Sequence, residues 1–202
     1  MQILLATGNP HKLDEVREIL SPQGIEILGL DSLETIPPEP VEDATTFEGN
    51  ARLKAVGYAR ATQRRCLADD SGLAVDALDG APGVHSARYA GLGSTRDERD
   101  SANNAKLIKA LTEVPHDLRT ARFVCCMCVA DPDGTIIAES RGTFEGTITT
   151  TARGANGFGY DPLLELEDGR TSAELDAHEK NQRSHRAHAT LALAHTLQTL
   201  SM

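Results

Sequence analysis

The first thirty residues constrain the fold more than any other stretch. An apolar run, Ile3-Leu4-Leu5-Ala6, meets a turn, Thr7-Gly8-Asn9-Pro10, after which Leu13, Val16, Ile19 and Leu20 recur at helical spacing. Pro22 and Gly24 stop that helix, and Ile25 to Leu30 reads as a second strand. A strand, a helix and a strand in this order open an α/β fold. Residues 31–45 hold three prolines and five acidic residues and read as a loop. Thr45 or Thr46 can cap a helix running to about Arg64, with Leu53, Val56 and Ala59 predicted inward. Cys66 to Ala68 enters a strand that reaches Asp69-Asp70-Ser71-Gly72, and Leu73 to Val75 stays extended. Ser94 or Thr95 caps a helix to about Leu111.

Thr120 to Ala130 is a strong strand, and the turn Asp131-Pro-Asp-Gly134 sends it back through Thr135 to Phe144 as a hairpin. Arg153 to Pro162 is a glycine-rich loop, and Ser184 caps a last helix carrying Leu191, Leu193, Leu197 and Leu200. Strands that alternate with helices and also form a hairpin predict a mixed sheet.

Composition narrows the class. The chain has 202 residues and 40% apolar residues, which suits a single domain over residues 1–202. It has no apolar run of the ~18 residues a spanning helix needs, and no basic start followed by a long apolar stretch. The expectation is a cytoplasmic protein with no membrane partner. Net charge is -10, which argues against a nucleic-acid partner, since that needs a basic face to displace counterions. A small phosphorylated ligand is not excluded, because a few local cations and a bound metal serve inside an acidic protein. Three of four cysteines crowd one run, Cys125, Cys126 and Cys128, with Cys66 apart and no C-x-x-C pair. They read as small buried residues of a reduced protein rather than a metal or redox site.

Four constellations carry chemistry. Thr7-Gly8-Asn9-Pro10-His11-Lys12 follows the first strand and opens a helix, whose start presents free backbone N–H groups and a positive dipole end. Gly8 lets an anion come close to the backbone, and Lys12 adds charge. The alternative is an ordinary capped turn; the Walker pattern is absent. Asp69-Asp70 lies at a strand end, where neighbouring side chains point to opposite faces. One carboxylate would enter a cleft and suit Mg²⁺, while the other orients its neighbours; a solvated turn is the alternative.

Gly157-Phe158-Gly159-Tyr160-Asp161 puts two of seven aromatics among glycines. A ring there can stack on a base and Asp161 can accept from a base edge, or the ring simply anchors the loop. Lys180 with Ser184-His185-Arg186 puts cations at a helix start, where the dipole disfavours them. That suits an anionic or carbonyl-rich ligand.

Together the segments resemble the inosine triphosphate pyrophosphatase family, hydrolases of non-standard purine nucleoside triphosphates such as dITP and XTP. The matching motifs are Thr7-Gly8-Asn9-x-x-Lys12, Phe47-x-x-Asn50-Ala51-x-x-Lys54-Ala55, Ala68-Asp-Asp-Ser-Gly-Leu73, Gly80-Ala-Pro-Gly83 with Ser86-Ala-Arg-Tyr89, Gly157 to Pro162, Ala173-Glu-Leu175 and Ser184-His-Arg186. They run in the family's order over nearly the whole chain.

The resemblance implies an elongated two-lobed α/β fold with a long central mixed sheet and a cleft between the lobes, a homodimer, and Mg²⁺-dependent cleavage to a nucleoside monophosphate and pyrophosphate. It implies that Thr7, Gly8, Asn9, Pro10, His11, Lys12 and Lys54 hold the triphosphate. Asp70 would be proton acceptor and metal ligand, with Glu42 as second metal carboxylate and Ser71 touching substrate. Phe158, Gly159, Tyr160, Asp161, Lys180, His185 and Arg186 would surround the base, and donors there would favour oxo purines. Gly49 departs from the family pattern, which often has an acidic residue there, and the polar loop at 91–100 carries no assigned role. The rival readings are a non-catalytic nucleotide sensor on the same scaffold and a Maf-like pyrophosphatase for another modified nucleotide.

Overall fold

Because β1 (Gln2–Leu5) runs parallel to β2 (Glu26–Leu28), the chain must cross back between them, and α1 (Pro10–Leu20) makes that crossing. β1 also pairs in parallel with β3 (Cys66–Val75), with Leu4 opposite Cys66 and Leu5 opposite Leu67. The computed structural model describes residues 1–200. After β2 come α2 (Phe47–Thr62), β3, α3 (Arg96–Ala110), β4 (Thr120–Ala130), β5 (Ile136–Ile148), β6 (Leu164–Glu165), α4 (Ala177–Arg183) and α5 (His185–Leu200). The sheet order is β2-β1-β3-β4-β5-β6, and β6 is antiparallel to β5. The fold is therefore α/β with a mixed sheet, as the element pattern predicts. No described helix is long and apolar enough to cross a membrane.

The chain separates into two compact units. The first comprises Met1–Asp70, Cys125–Gly142 and the segment from Ser184 onward. Its core joins Ile3, Leu5, Val16, Leu20, Ile27, Leu67, Met127, Val129, Leu193 and Leu197. Each such fully buried aliphatic side chain contributes roughly 1.5–3 kcal/mol. The second comprises Ser71–Val124 and Thr143–Arg183, with Leu73, Val75, Leu107, Leu111, Phe123, Phe144, Leu163 and Leu164 at its centre. All four cysteines are free and buried.

In the first unit Thr46 caps α2 by accepting from the Gly49 N–H at 3.1 Å. The buried face of α2 carries Ala51, Lys54, Ala55, Tyr58 and Ala59. Leu53, expected inward, is instead 39% exposed. It sits about 200° around the helix from Ala51, off the small-residue line at 51, 55 and 59. The loop before α2 is strapped along a different side of the helix, where positions 49 and 57 flank Leu53. A Cβ at Gly49 would lie 2.6 Å from the Ala44 Cβ, and one at Gly57 would lie 2.5 Å from the Pro40 ring. Both glycines exist because the loop touches the helix there.

Ser184 caps α5, accepting from the Ala187 N–H at 3.1 Å. Leu193 and Leu197 are buried, whereas Leu191 is 47% exposed, since 191 and 193 are also about 200° apart. The Leu200 side chain lies outside the described residues. At Gly142 of β5 a Cβ would fall 2.1 Å from the His185 carbonyl oxygen, so β5 meets α5 backbone to backbone.

Candidate active site

In the first unit the turn after β1 is built by its own side chains. Thr7 Oγ1 accepts from the Asn9 N–H, and Asn9 Oδ1, the cap of α1, accepts from the His11 N–H, each at 3.1 Å. Pro10 fills the first helical position, where no N–H is needed. Gly8 is exposed, and no protein atom lies within 4 Å of where its Cβ would sit. The space beside the backbone at Gly8 is therefore open. His11 is exposed and Lys12 turns back to the sheet.

Lys12 Nζ meets Asp69 Oδ2 at 2.7 Å. Arg186, 3% exposed, approaches the same oxygen at 3.8 Å and pairs with Glu15 of α1 at 2.5 Å. Two carboxylates thus explain why a cation stands at the start of α5 against the helix dipole. Burial pushes the Asp69 carboxyl up, but Lys12, Arg186 and Lys54 more than reverse this and hold it well below the usual range. Arg186 and Lys54 are shifted the other way: burial lowers each, and the facing carboxylates raise it further.

Asp70 behaves oppositely. Burial raises its pKa above the ordinary value; Lys54 and a 3.0 Å hydrogen bond from Asn50 Nδ2 counter this, and Glu42 adds to the rise. Lys54 Nζ lies 3.2 Å from Glu42. Asn50 also fixes the Glu42 loop, since its Oδ1 accepts from the Ala44 N–H at 3.0 Å. The structure therefore brings together Lys12, Lys54, Asp69, Asp70, Glu42 and Arg186, with Asn50, whose motif was visible but whose bonds were not.

No group of three or more His, Cys, Asp or Glu able to hold a metal occurs among the described residues. Glu42 and Asp70 nonetheless fit a hard cation that takes one or two carboxylates and completes its shell with water and phosphate. Their mutual repulsion is the feature a cation would relieve.

In the second unit Ser71 follows Asp70 on β3 and is partly exposed. The loop Gly157–Asp161 is tied down internally. Asp161, 3% exposed, accepts from the Phe158 N–H at 2.8 Å, from Ser172 Oγ at 2.7 Å and from Lys180 Nζ at 2.5 Å. Its carboxylate shapes the loop. Tyr160 lies in the core of this unit, its hydroxyl donating to the Ser86 carbonyl at 2.9 Å, and burial raises its pKa. Phe158 remains partly exposed. Arg96 Cζ sits 4.3 Å from its ring centroid and Lys180 Nζ 5.6 Å. Arg96 was not anticipated: no sequence signal ties a helix start at 96 to a loop some sixty residues on. His185 is buried at the start of α5 in the first unit.

The fold and these groups define a mixed-sheet α/β protein whose lysine–carboxylate cluster, beside a helix start, is suited to phosphate chemistry. The chain belongs to the Ham1 family, whose model matches residues 3–196. It is 48% identical over 192 residues to a dITP/XTP pyrophosphatase of an Exiguobacterium species, covering 94% of this chain and 93% of that protein. It is likewise 48% identical to the dITP/XTP pyrophosphatase of Nitratidesulfovibrio vulgaris, covering 93% and 91%. The solved HAM1 protein from Coxiella burnetii superposes with a TM-score of 0.88 at 37% identity, covering 98% of this chain and 99% of that one.

Proposed function

We propose that this chain is a hydrolase of non-standard purine nucleoside triphosphates, dITP and XTP among them, that releases the nucleoside monophosphate and pyrophosphate. The observation that carries the reading is the pairing of adjacent carboxylates, Asp69 and Asp70, with opposite roles around Lys12 and Lys54. The names of the relatives, which match this chain almost end to end, support the substrate class.

A triphosphate carries about four negative charges, and water attacks it poorly until these are offset. Thr7 to Lys12 supply backbone N–H groups, the helix dipole and one lysine; Lys54 supplies a second. Asp69 orients Lys12 and Arg186 by ion pairing. Mg²⁺, held by Asp70 and Glu42, would neutralise phosphate oxygens when bound. Asp70 accepts the proton of the attacking water, for which a raised pKa is favourable so long as the carboxylate is ionised at working pH. Ser71 touches substrate. Phe158 stacks on the base, and Asp161 keeps the loop and Lys180 in place. His185 and Arg186 face the purine oxygen as donors, Arg186 while still paired with Glu15 and Asp69, and adenine, which presents a donor of its own at that position, is disfavoured. The same reading gives a homodimer acting in the cytoplasm.

The test is incubation with Mg²⁺ and dITP, XTP, dGTP or ATP, with product identification. Pyrophosphate from dITP or XTP, with ATP and dGTP nearly untouched, is expected. Orthophosphate as the sole first product, or binding without turnover, refutes the assignment.

A further inference from the structure

One face of α3 is spent on the loop that carries Phe158. Arg96, Asp100 and Asn104 recur every four residues and so line up along the helix. Asp100 Oδ2 accepts from the Gly159 N–H at 2.9 Å, and Asn104 Nδ2 donates to the Gly159 carbonyl at 3.0 Å. Both polar groups of one glycine, which holds a left-handed φ of 62°, are gripped by one helix. One peptide earlier, Asp161 accepts from the Phe158 N–H. Arg96 then covers the Phe158 ring, 4.3 Å from its centroid, while lying 3.9 Å from Asp100. The helix itself is fixed at its start: Thr95 and Glu98 form a reciprocal cap, and Glu98 also accepts from the Ser94 N–H at 2.7 Å. Asn103, the neighbour that faces elsewhere, anchors α3 to the Ser86–Ala90 segment through the Ala90 N–H at 2.7 Å.

We propose that Arg96, Asp100 and Asn104 are positioning residues for purine recognition: they hold the Phe158–Gly159 peptide so that the ring is presented to a base. The proposal rests on the reading of Phe158 as the base-stacking side chain. It gives the polar segment at 91–100 a task and separates base affinity, set by α3, from phosphate chemistry, set by Lys12, Lys54 and Asp70. A glycine loop without this grip would sample many conformations, and ordering it would be charged against every binding event.

The test uses the full protein with two product inhibitors, inosine monophosphate and pyrophosphate. Asp100→Ala removes the acceptor for the Gly159 N–H, whereas Asp100→Asn keeps an acceptor oxygen in place. Asp100→Ala is expected to raise KM for dITP and the inhibition constant of inosine monophosphate by about tenfold, the scale of one lost charge-assisted hydrogen bond. The pyrophosphate constant and kcat stay within about twofold, and Asp100→Asn recovers most of the loss. Equal weakening of both inhibitors, or no change in either, overturns the proposal. Phe158→Ala is run beside it. If that variant leaves dITP KM unchanged, the stacking reading itself fails. If it raises KM while Asp100→Ala does not, only the role of α3 fails. Arg96→Ala and Arg96→Met divide charge from packing on the ring: a loss restored by Met is packing, a loss shared by both is charge, and no loss removes Arg96 from the set.

Discussion

Replacing Gly57 by alanine isolates the strap that places Glu42. A Cβ there would lie 2.5 Å from Pro40 Cγ and 2.9 Å from Pro40 Cβ, whereas carbons pack at about 3.5–4.0 Å. Loop or helix must then move by roughly 1 Å. Pro40 is two residues before Glu42, whose carboxylate is 3.2 Å from Lys54 Nζ, so a shift of that size opens the pair to the edge of ion-pair reach. Stability changes little, because two effects oppose. Alanine favours a helix interior by about 1 kcal/mol over glycine, and overpacking costs about 1–3 kcal/mol. The net loss is ~0–2 kcal/mol, or at most about 8 °C in Tm for a chain of this size. Activity changes more, since misplacing a positioned group by about 1 Å costs up to ~10²-fold. Steady-state kinetics on dITP should therefore show kcat/KM lower by about 10- to 100-fold with a small Tm change. Pro40→Gly in the same chain removes both clashing carbons and should recover part of the activity. Unchanged kcat/KM together with a raised Tm would show that the strap does not place Glu42.

Asp70→Asn should lower turnover on dITP ~10²-fold or more while nucleotide binding, read by calorimetry, survives, because a base and a ligand charge are lost together; near-normal turnover removes Asp70 from the mechanism. Asp69→Asn should destabilise the fold by about 3–5 kcal/mol at pH 7 in urea denaturation, since Lys12 and the buried Arg186 lose a partner. Asp69 has a depressed folded pKa, so its contribution is full above the unfolded value of about 3.9 and fades as pH falls below it. The gap between wild type and variant should be flat from pH 5 to 8 and narrower at pH 3.

Local patterning made much of the fold legible. β4 was bounded at Thr120 and Ala130 because a run of β-favouring apolar residues ends at an Asp-Pro-Asp-Gly turn, and that turn closes with the Gly134 N–H on the Asp131 carbonyl at 2.8 Å. The caps at Thr46, Thr95 and Ser184 were readable because a hydroxyl before a helical pattern has one obvious task. The inward placement of Leu53 failed for one reason. Hydropathy assigns leucine to the core, but α2 packs through alanines and a lysine, and only the helix phase decides. In the site, residue types were readable and partnerships were not. Nothing local says that Arg186 answers Glu15 and Asp69, or that Asp100 reaches Gly159, because each pair is joined through the packing of the elements rather than through spacing along the chain.

The two adjacent aspartates then show how one backbone step assigns roles. A strand sends successive side chains to opposite faces, so Asp69 enters the layer of α1 and α5, where Lys12 and Arg186 wait, while Asp70 turns toward α2, Asn50 and the Glu42 loop. On the first face the cations outweigh desolvation and fix a permanent anion; on the second, desolvation and a facing carboxylate outweigh Lys54 and leave a group whose proton is easily gained. The linkage signs follow. Asp69 stabilises the fold at neutral pH, whereas the contribution of Asp70, with its raised folded pKa, is fullest below the unfolded value and is lost as pH rises through the folded one. Converting Asp70 to asparagine should therefore leave stability at pH 7 unchanged or slightly higher even as turnover collapses. On the proposed mechanism, that opposition separates a carboxylate kept for the reaction from one kept for the fold.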